Sequence, residues 1–246
     1  MIDTAKYETL LADYQVFETE YWSAAFTEEK EKLLPLLGSY QVFDKYVLSE
    51  IVKTESPQYN IFKVLNVRHY EEKLHTPFLV NLLNPKGSHG QGALFLDLFF
   101  ELVLKLEYRY KTITTFNIKE ERKIDSGRID ILMTFHNGKN WVGIVIENKI
   151  YAKDQYRQLK KYHDYLESRF RKVENRKLYY LTPRKINPTT HSISEKDAKE
   201  LRDNGVLHNL GYHADIYPWL KQSLSKIQSP KIRFTIEQYL KTITTL

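Results

Sequence analysis

The sequence predicts an α/β fold: a central mixed sheet of about five strands flanked by helices, with a helical N-terminal extension. Three observations predict it. β-rich runs recur between Thr114 and Tyr212, and segments with helical spacing lie before and after them. One long helical segment separates the third run from the fourth, as a crossover between parallel strands requires.

Taken in order, Leu10, Leu11, Tyr14, Phe17, Tyr21 and Trp22 fall at helical spacing between Asp3 and about Phe26. Thr27-Glu28-Glu29-Lys30 reads as an N-cap followed by acids in a first turn, opening a second helix interrupted near Pro35. Residues 1–55 are expected to form the helical N-terminal extension and residues 56–246 the α/β domain, joined by the turn Ser56-Pro57-Gln58-Tyr59-Asn60. The extension is where a partner surface or self-association into a homo-oligomer would sit; simple packing on the core is the plainer account.

The next helix carries Glu72, His75, Leu79 and Leu82, with Glu72 and His75 three apart and able to face the same way. The loop Asn84–Gly92 has neither the P-loop spacing nor GxGxxG, which excludes those nucleotide-binding readings. Ala93–Glu107 reads as a buried helix, and Thr114–Lys123 as the first strand. Arg128–Phe135 and Trp141–Ile150 follow as strands, joined by the hairpin turn His136-Asn137-Gly138-Lys139. A helix over Asp154–Arg171, a strand over Lys177–Leu181 and a polar loop from Pro183 to Lys196 come next. Gly205–Tyr212 is the fifth strand, with helices over Asp215–Ile227 and Pro230–Thr244. His208 and His213 are five apart, which suits no common zinc spacing.

With 42% hydrophobic and 28% charged residues, the chain is of globular rather than disordered composition. No apolar run approaches the roughly 20 residues that cross a bilayer, and MIDTAKYETL has no secretory pattern. The expectation is a cytoplasmic protein with no membrane partner. The absence of cysteine removes disulfides and thiolate metal sites. A formal charge of +6 favours a polyanionic partner. Basic residues cluster from Lys153 to Lys177, where a helix could hold phosphates or simply be solvated. The 18 tyrosines offer stacking surfaces for bases, although most tyrosines are structural.

Strand periodicity sets the chemistry. Trp141, Gly143, Val145, Glu147 and Lys149 share one side of the third strand, and Asp130 lies on the second between Ile129 and Ile131. An isolated E-x-K is usually a solvated surface pair, but this one ends a central apolar strand, where unpaired charge is costly. Two carboxylates suit a hard divalent cation such as Mg²⁺, with Mn²⁺ as substitute. A lysine beside them can orient or deprotonate water, or neutralise charge on a phosphate. The chemistry that fits is metal-assisted hydrolysis of a phosphodiester.

Asp130 followed by Glu147-Asn148-Lys149 resembles the D…(D/E)xK signature of the PD-(D/E)xK nuclease superfamily. Gln158-Leu159-Lys160-Lys161-Tyr162 is similar to the QxxxY motif of its RecB-type and lambda-exonuclease-like branches. Glu72-Lys73-Leu74-His75-Thr76 and the following LVNLLNPKGSHGQGALFLDLFF resemble an uncharacterised branch with an E-x-x-H-[ST] helix, an LLxP turn and an HG before a second helix. The likeness is close from about Arg68 to Pro183 and loose through GYHADIYPWL; Gly127-Arg128 stands where the superfamily's name places a proline.

The resemblance implies a restriction-endonuclease-like core, with residues 56–246 as the catalytic domain. It implies Glu72, Asp130, Glu147 and the main-chain carbonyl of Asn148 as metal ligands, Lys149 as the catalytic lysine, and Gln158 and Tyr162 flanking the site from the next helix. The expected partner is nucleic acid, with DNA preferred. The alternatives are a catalytically silent or conditional nuclease-fold module that binds nucleic acid or protein, an RNA nuclease, and a phosphohydrolase acting on small nucleotides.

Overall fold

The computed structural model describes residues 4–125 and 127–246. The chain divides after Tyr59 into two compact units. The first is a single helix, α1 (Thr4–Glu55), where the sequence pattern predicts two. Thr27 does not cap a new helix, because its hydroxyl donates to the Ser23 carbonyl at 2.7 Å inside a continuing one. The helix also runs through Pro35, whose carbonyl accepts from the Ser39 hydroxyl at 2.9 Å. Asp3 and the side chains of Tyr21, Trp22 and Phe26 lie outside the described residues. Leu10, Phe17, Leu36, Tyr40, Val42 and Phe43 of α1 are exposed.

The second unit opens with α2 (Ile61–Val64), capped by Asn60, whose side chain accepts from the Phe62 and Lys63 amides. A π-helical turn over Glu71–His75 leads into α3 (Thr76–Leu83). The predicted helix from Ala93 is shorter than expected: α4 (Leu94–Leu98) widens into a second π turn, Phe99–Val103, and stops. Then come β1 (Thr115–Ile124), β2 (Gly127–His136) and β3 (Trp141–Asn148), followed by α5 (Gln158–Arg169) and β4 (Arg176–Thr182). Next is α6 (Glu195–Asp203), a helix the sequence reading left out although Ser194 is its N-cap, accepting from the Asp197 amide. β5 (Leu207–Gly211), a third π turn (Tyr212–Ile216), α7 (Tyr217–Ser223) and α8 (Pro230–Ile243) complete the unit.

The five strands form one mixed sheet in the order β1-β2-β3-β4-β5. β1, β2 and β3 are antiparallel neighbours, whereas β4 and β5 each join in parallel after a helical crossover. From Ile131 onward, side chains alternate between two buried layers. Ile131, Met133, Phe135, Val142, Ile144 and Ile146 face Leu83, Phe99, Trp219 and Tyr239 of the helical layer. Leu132, Val145 and Leu178 face Leu159, Tyr162 and Leu166 of α5 on the other side. Gly143 belongs to this second face because the Phe170 ring occupies the space a Cβ would need, 2.2 Å from its position. No described helix is long and apolar enough to cross a membrane.

Candidate active site

The site sits where two strands part. The β2–β3 ladder runs from His136↔Trp141 to Ile131↔Ile146 and stops there. β2 stays paired with β1 down to Gly127↔Ile124, and β3 stays paired with β4 up to Asn148↔Leu181. In the fork between them the Asp130 carboxylate replaces a backbone acceptor, with Oδ2 taking the Asn148 N–H at 2.7 Å. Glu147 projects toward the α5 layer, in line with Val145, and the Asp130 carboxyl lies beside it.

Glu147 is fully buried, and Lys149 Nζ lies 2.9 Å from its Oε1. Apart from the Lys149 ammonium, neither Glu147 oxygen has a hydrogen-bond donor among the described residues. Burial, then the Asp130 charge, pushes the Glu147 carboxyl well above its ordinary range, and Lys149 opposes this. Burial also raises Asp130, against the Asn148 N–H and Lys149. Burial alone would lower Lys149, but Glu147, Asp130 and Glu71 together hold the ammonium above its usual range. Two buried acids short of positive charge and of donors are a fit for a divalent cation bound through oxygen.

A family model described as the PD-(D/E)XK nuclease superfamily matches residues 59–241. The chain belongs to the PD-(D/E)XK nuclease superfamily. Nucleases of that superfamily generally use divalent metal ions. A search of curated proteins found no match. Among solved structures, a repair endonuclease from Pyrococcus abyssi is similar at 20% identity, over 48% of this chain and 46% of that one, with a TM-score of 0.27. This chain therefore spans less than half of that protein's length.

Around the fork of this PD-(D/E)XK chain, the structure separates two adjacent acids that the sequence could not. Glu72, expected near the metal, is largely exposed and paired with Arg128. Glu71 faces the site instead: its Oε1 accepts the N–H groups of Ile150, Tyr151 and Ala152 at 2.5, 2.9 and 3.1 Å. The π turn beginning at Glu71 is the cause, because an extra residue per turn rotates the helix face away from the i, i+3 phase that pairs Glu72 with His75. His75 is accordingly buried in the helical layer, bonded to the Arg68 carbonyl and the Tyr239 hydroxyl rather than to a carboxylate.

Glu121 is an acid the sequence reading missed. Its neighbours pair as Glu120↔Ile131 and Arg122↔Ile129, which sets it beside Asp130 on β1. It adopts φ 50° and pairs with Arg128. Burial first, then the Asp130 charge, pushes it up to about 7, while Arg128 pulls it down. Strand alternation from Lys119 or Lys123 would have placed it on the site face, had the register been known.

Gln158 and Tyr162 are both buried on the inner side of α5. Gln158 Nε2 donates to Tyr162 Oη at 3.1 Å, and Tyr162 donates to the Arg128 carbonyl, so the pair anchors β2 two residues before Asp130. Next to Glu147 in the sheet, Tyr180 donates to Asp154 Oδ1 at 2.9 Å. Asp154 Oδ2 takes the Thr189 amide and hydroxyl at 2.8 and 2.7 Å, tying the polar loop to the rim. Parts of the basic cluster are committed internally, with Lys160 on Asp164 and Arg176 on Glu167, while Lys153, Arg157, Arg171 and Lys172 are exposed. His163, Asp164 and Glu167 form a separate group of close donors on α5, its two acids already paired with those cations.

Proposed function

We propose that this protein is a divalent-metal-dependent nuclease that cleaves DNA, using Mg²⁺ with Mn²⁺ as a substitute. The observation that carries the reading is the fork itself: a fully buried carboxylate, Glu147, paired with Lys149 alone among the described cations and set beside Asp130. In this reading Asp130, Glu147 and the Asn148 carbonyl hold the ion, and the catalytic domain is residues 56–246. A strand residue directs its N–H and C=O to the same side, so an Asn148 N–H bonded to Asp130 supports a carbonyl turned the same way.

A bound divalent cation supplies an acidified water and a polarised phosphate oxygen. Lys149, held protonated by the surrounding acids, orients the attacking water and neutralises charge on the phosphate rather than removing a proton. Of the two acids at the start of the π turn, Glu71 takes the place first given to Glu72, since only Glu71 reaches the backbone that follows Lys149. Tyr162 and Gln158 hold β2 in place from behind. The net charge of +6 supports a polyanionic substrate. The exposed apolar residues of α1 support self-association through that helix.

The test is cleavage of circular DNA, linear DNA and single-stranded RNA with Mg²⁺, Mn²⁺ or EDTA, comparing the wild type with Lys149→Ala. Metal-dependent loss of DNA that Lys149→Ala abolishes is the expected result. Cleavage of RNA alone would move the substrate. Folded protein that binds Mn²⁺ yet cuts nothing would favour a conditional enzyme awaiting a partner, and failure to bind Mn²⁺ as well would favour the silent binding module.

A further inference from the structure

Asn148 occupies the middle position of the Glu147-Asn148-Lys149 motif, and its side chain points away from both neighbours. It is fully buried on the far face of the sheet, where its amide is held at both ends. Nδ2 donates to Thr76 Oγ1 at 3.1 Å, and Oδ1 accepts from the Tyr212 hydroxyl at 2.9 Å. Thr76 opens α3 and Tyr212 opens the third π turn, so two elements distant in sequence converge on one side chain.

A second pair backs the first. The Arg68 carbonyl can only accept, so His75 Nε2, 2.9 Å away, carries the proton and Nδ1 is the acceptor. The Tyr239 hydroxyl therefore donates to Nδ1 at 2.8 Å. The His75 ring stands edge-on to Tyr212 with centroids 5.4 Å apart, and tilted on Tyr239 at 5.6 Å. His75, Tyr212 and Tyr239 are all fully buried, and Thr76 is 1% exposed.

We propose that Tyr212 and Thr76 are positioning residues for the active site, acting through Asn148, with His75 and Tyr239 fixing the place of Tyr212. A strand residue pinned at two points on one face cannot rotate about the strand axis. Rotation at Asn148 would swing Glu147 and Lys149 together and draw the Asn148 N–H off Asp130 Oδ2, now at 2.7 Å. The network thus sets the orientation of the charged face from the opposite one, and links α8 and the third π turn to the chemistry. The consequence for ion binding rests on the nuclease reading above; the consequence for the Asn148 peptide does not.

Tyr212→Phe removes one hydroxyl and leaves the ring. Thr76→Val removes the other partner with little change of shape, and Thr76→Ser keeps the acceptor as the conservative control. Amide hydrogen exchange at Asn148 in the metal-free protein, Mn²⁺ affinity by calorimetry and kcat and KM for cleavage are measured where all variants are fully folded. Exchange at Asn148 about tenfold faster, Mn²⁺ affinity about tenfold weaker and a fall in kcat at near-constant KM are expected for Tyr212→Phe and Thr76→Val, with Thr76→Ser near wild type. A lowered melting temperature with exchange at Asn148 unchanged would overturn the proposal, leaving the network a packing device. If wild-type protein neither binds Mn²⁺ nor cuts, the nuclease reading fails while the exchange comparison still decides the positioning role.

Discussion

Lys149 Nζ lies 2.9 Å from Glu147 Oε1, the one ion pair among the described residues of a carboxylate that is otherwise fully enclosed. Removing the ammonium leaves Glu147 to take up a proton, since burial already favours its neutral form. Lys149→Ala should therefore lower kcat by about two to three orders of magnitude while the protein stays folded. Single-turnover cleavage with circular dichroism on the same sample checks it; full activity would remove Lys149 from the mechanism.

Glu71 and Glu72 are neighbours with opposite assignments. Glu71 Oε1 takes the amides of Ile150, Tyr151 and Ala152, whereas Glu72 is an exposed partner of Arg128. Glu71→Ala should lower cleavage at least about tenfold, in the range seen when groups that orient a metal site are lost. Glu72→Gln should stay within about twofold, as an exposed ion pair contributes little. Parallel rate measurements decide between them, and the reverse ranking would restore Glu72 as the acid of the site.

The sheet was legible because its strands follow a period of two, and Glu147 and Lys149 could be put on one side of the third strand by counting. Three features were not. α1 runs on through Pro35 and the cap-like Thr27, whose hydroxyl is bonded back to the Ser23 carbonyl instead of capping the amides of a new helix. The π turn at Glu71–His75 shifts helical phase by one residue, which no 3.6-residue pattern anticipates. Glu121 needed a cross-strand register, a tertiary quantity absent from local periodicity.

Gly143 faces the Phe170 ring at the edge of the α5 layer, and a Cβ there would come within 2.2 Å of it. Neither the β3 backbone nor a 7% exposed ring has room to move. Gly143→Ala should cost about 1–3 kcal/mol by overpacking. Urea unfolding measures it, and a neutral result would mean that Phe170 does not rest on β3.

Glu121 differs from a surface acid in the sign of its effect. Its folded carboxyl lies near 7, above the ordinary glutamate value, because of burial and Asp130. Such a group is fully favourable below its unfolded pKa, and its contribution is lost as pH rises from about 4.5 through 7. Glu121→Gln should therefore raise the melting temperature of metal-free protein at pH 7.5 and leave it almost unchanged at pH 4. A variant destabilised at pH 7.5 would show that the Arg128 ion pair outweighs the repulsion.

His75 runs the other way. Burial lowers its imidazole to about 4, against the Arg68 carbonyl and the charge of Glu71. With a depressed folded value, the unfolded chain binds more protons between pH 4 and 6.5, so stability is fully present above 6.5 and falls as pH drops through that window. The loss attributable to His75 is about 3 kcal/mol by pH 4, and the group is fully enclosed, so solvent screening takes little from it. Because Glu121 opposes this slope, wild-type protein alone is ambiguous, and the comparison with His75→Gln isolates the term. The stability difference between the two proteins, from urea unfolding at pH 7, 6, 5 and 4, should shrink steadily below pH 6.5. A difference that does not change with pH would mean that His75 takes up its proton as readily in the folded chain as in the unfolded one, so that burial does not hold the ring neutral.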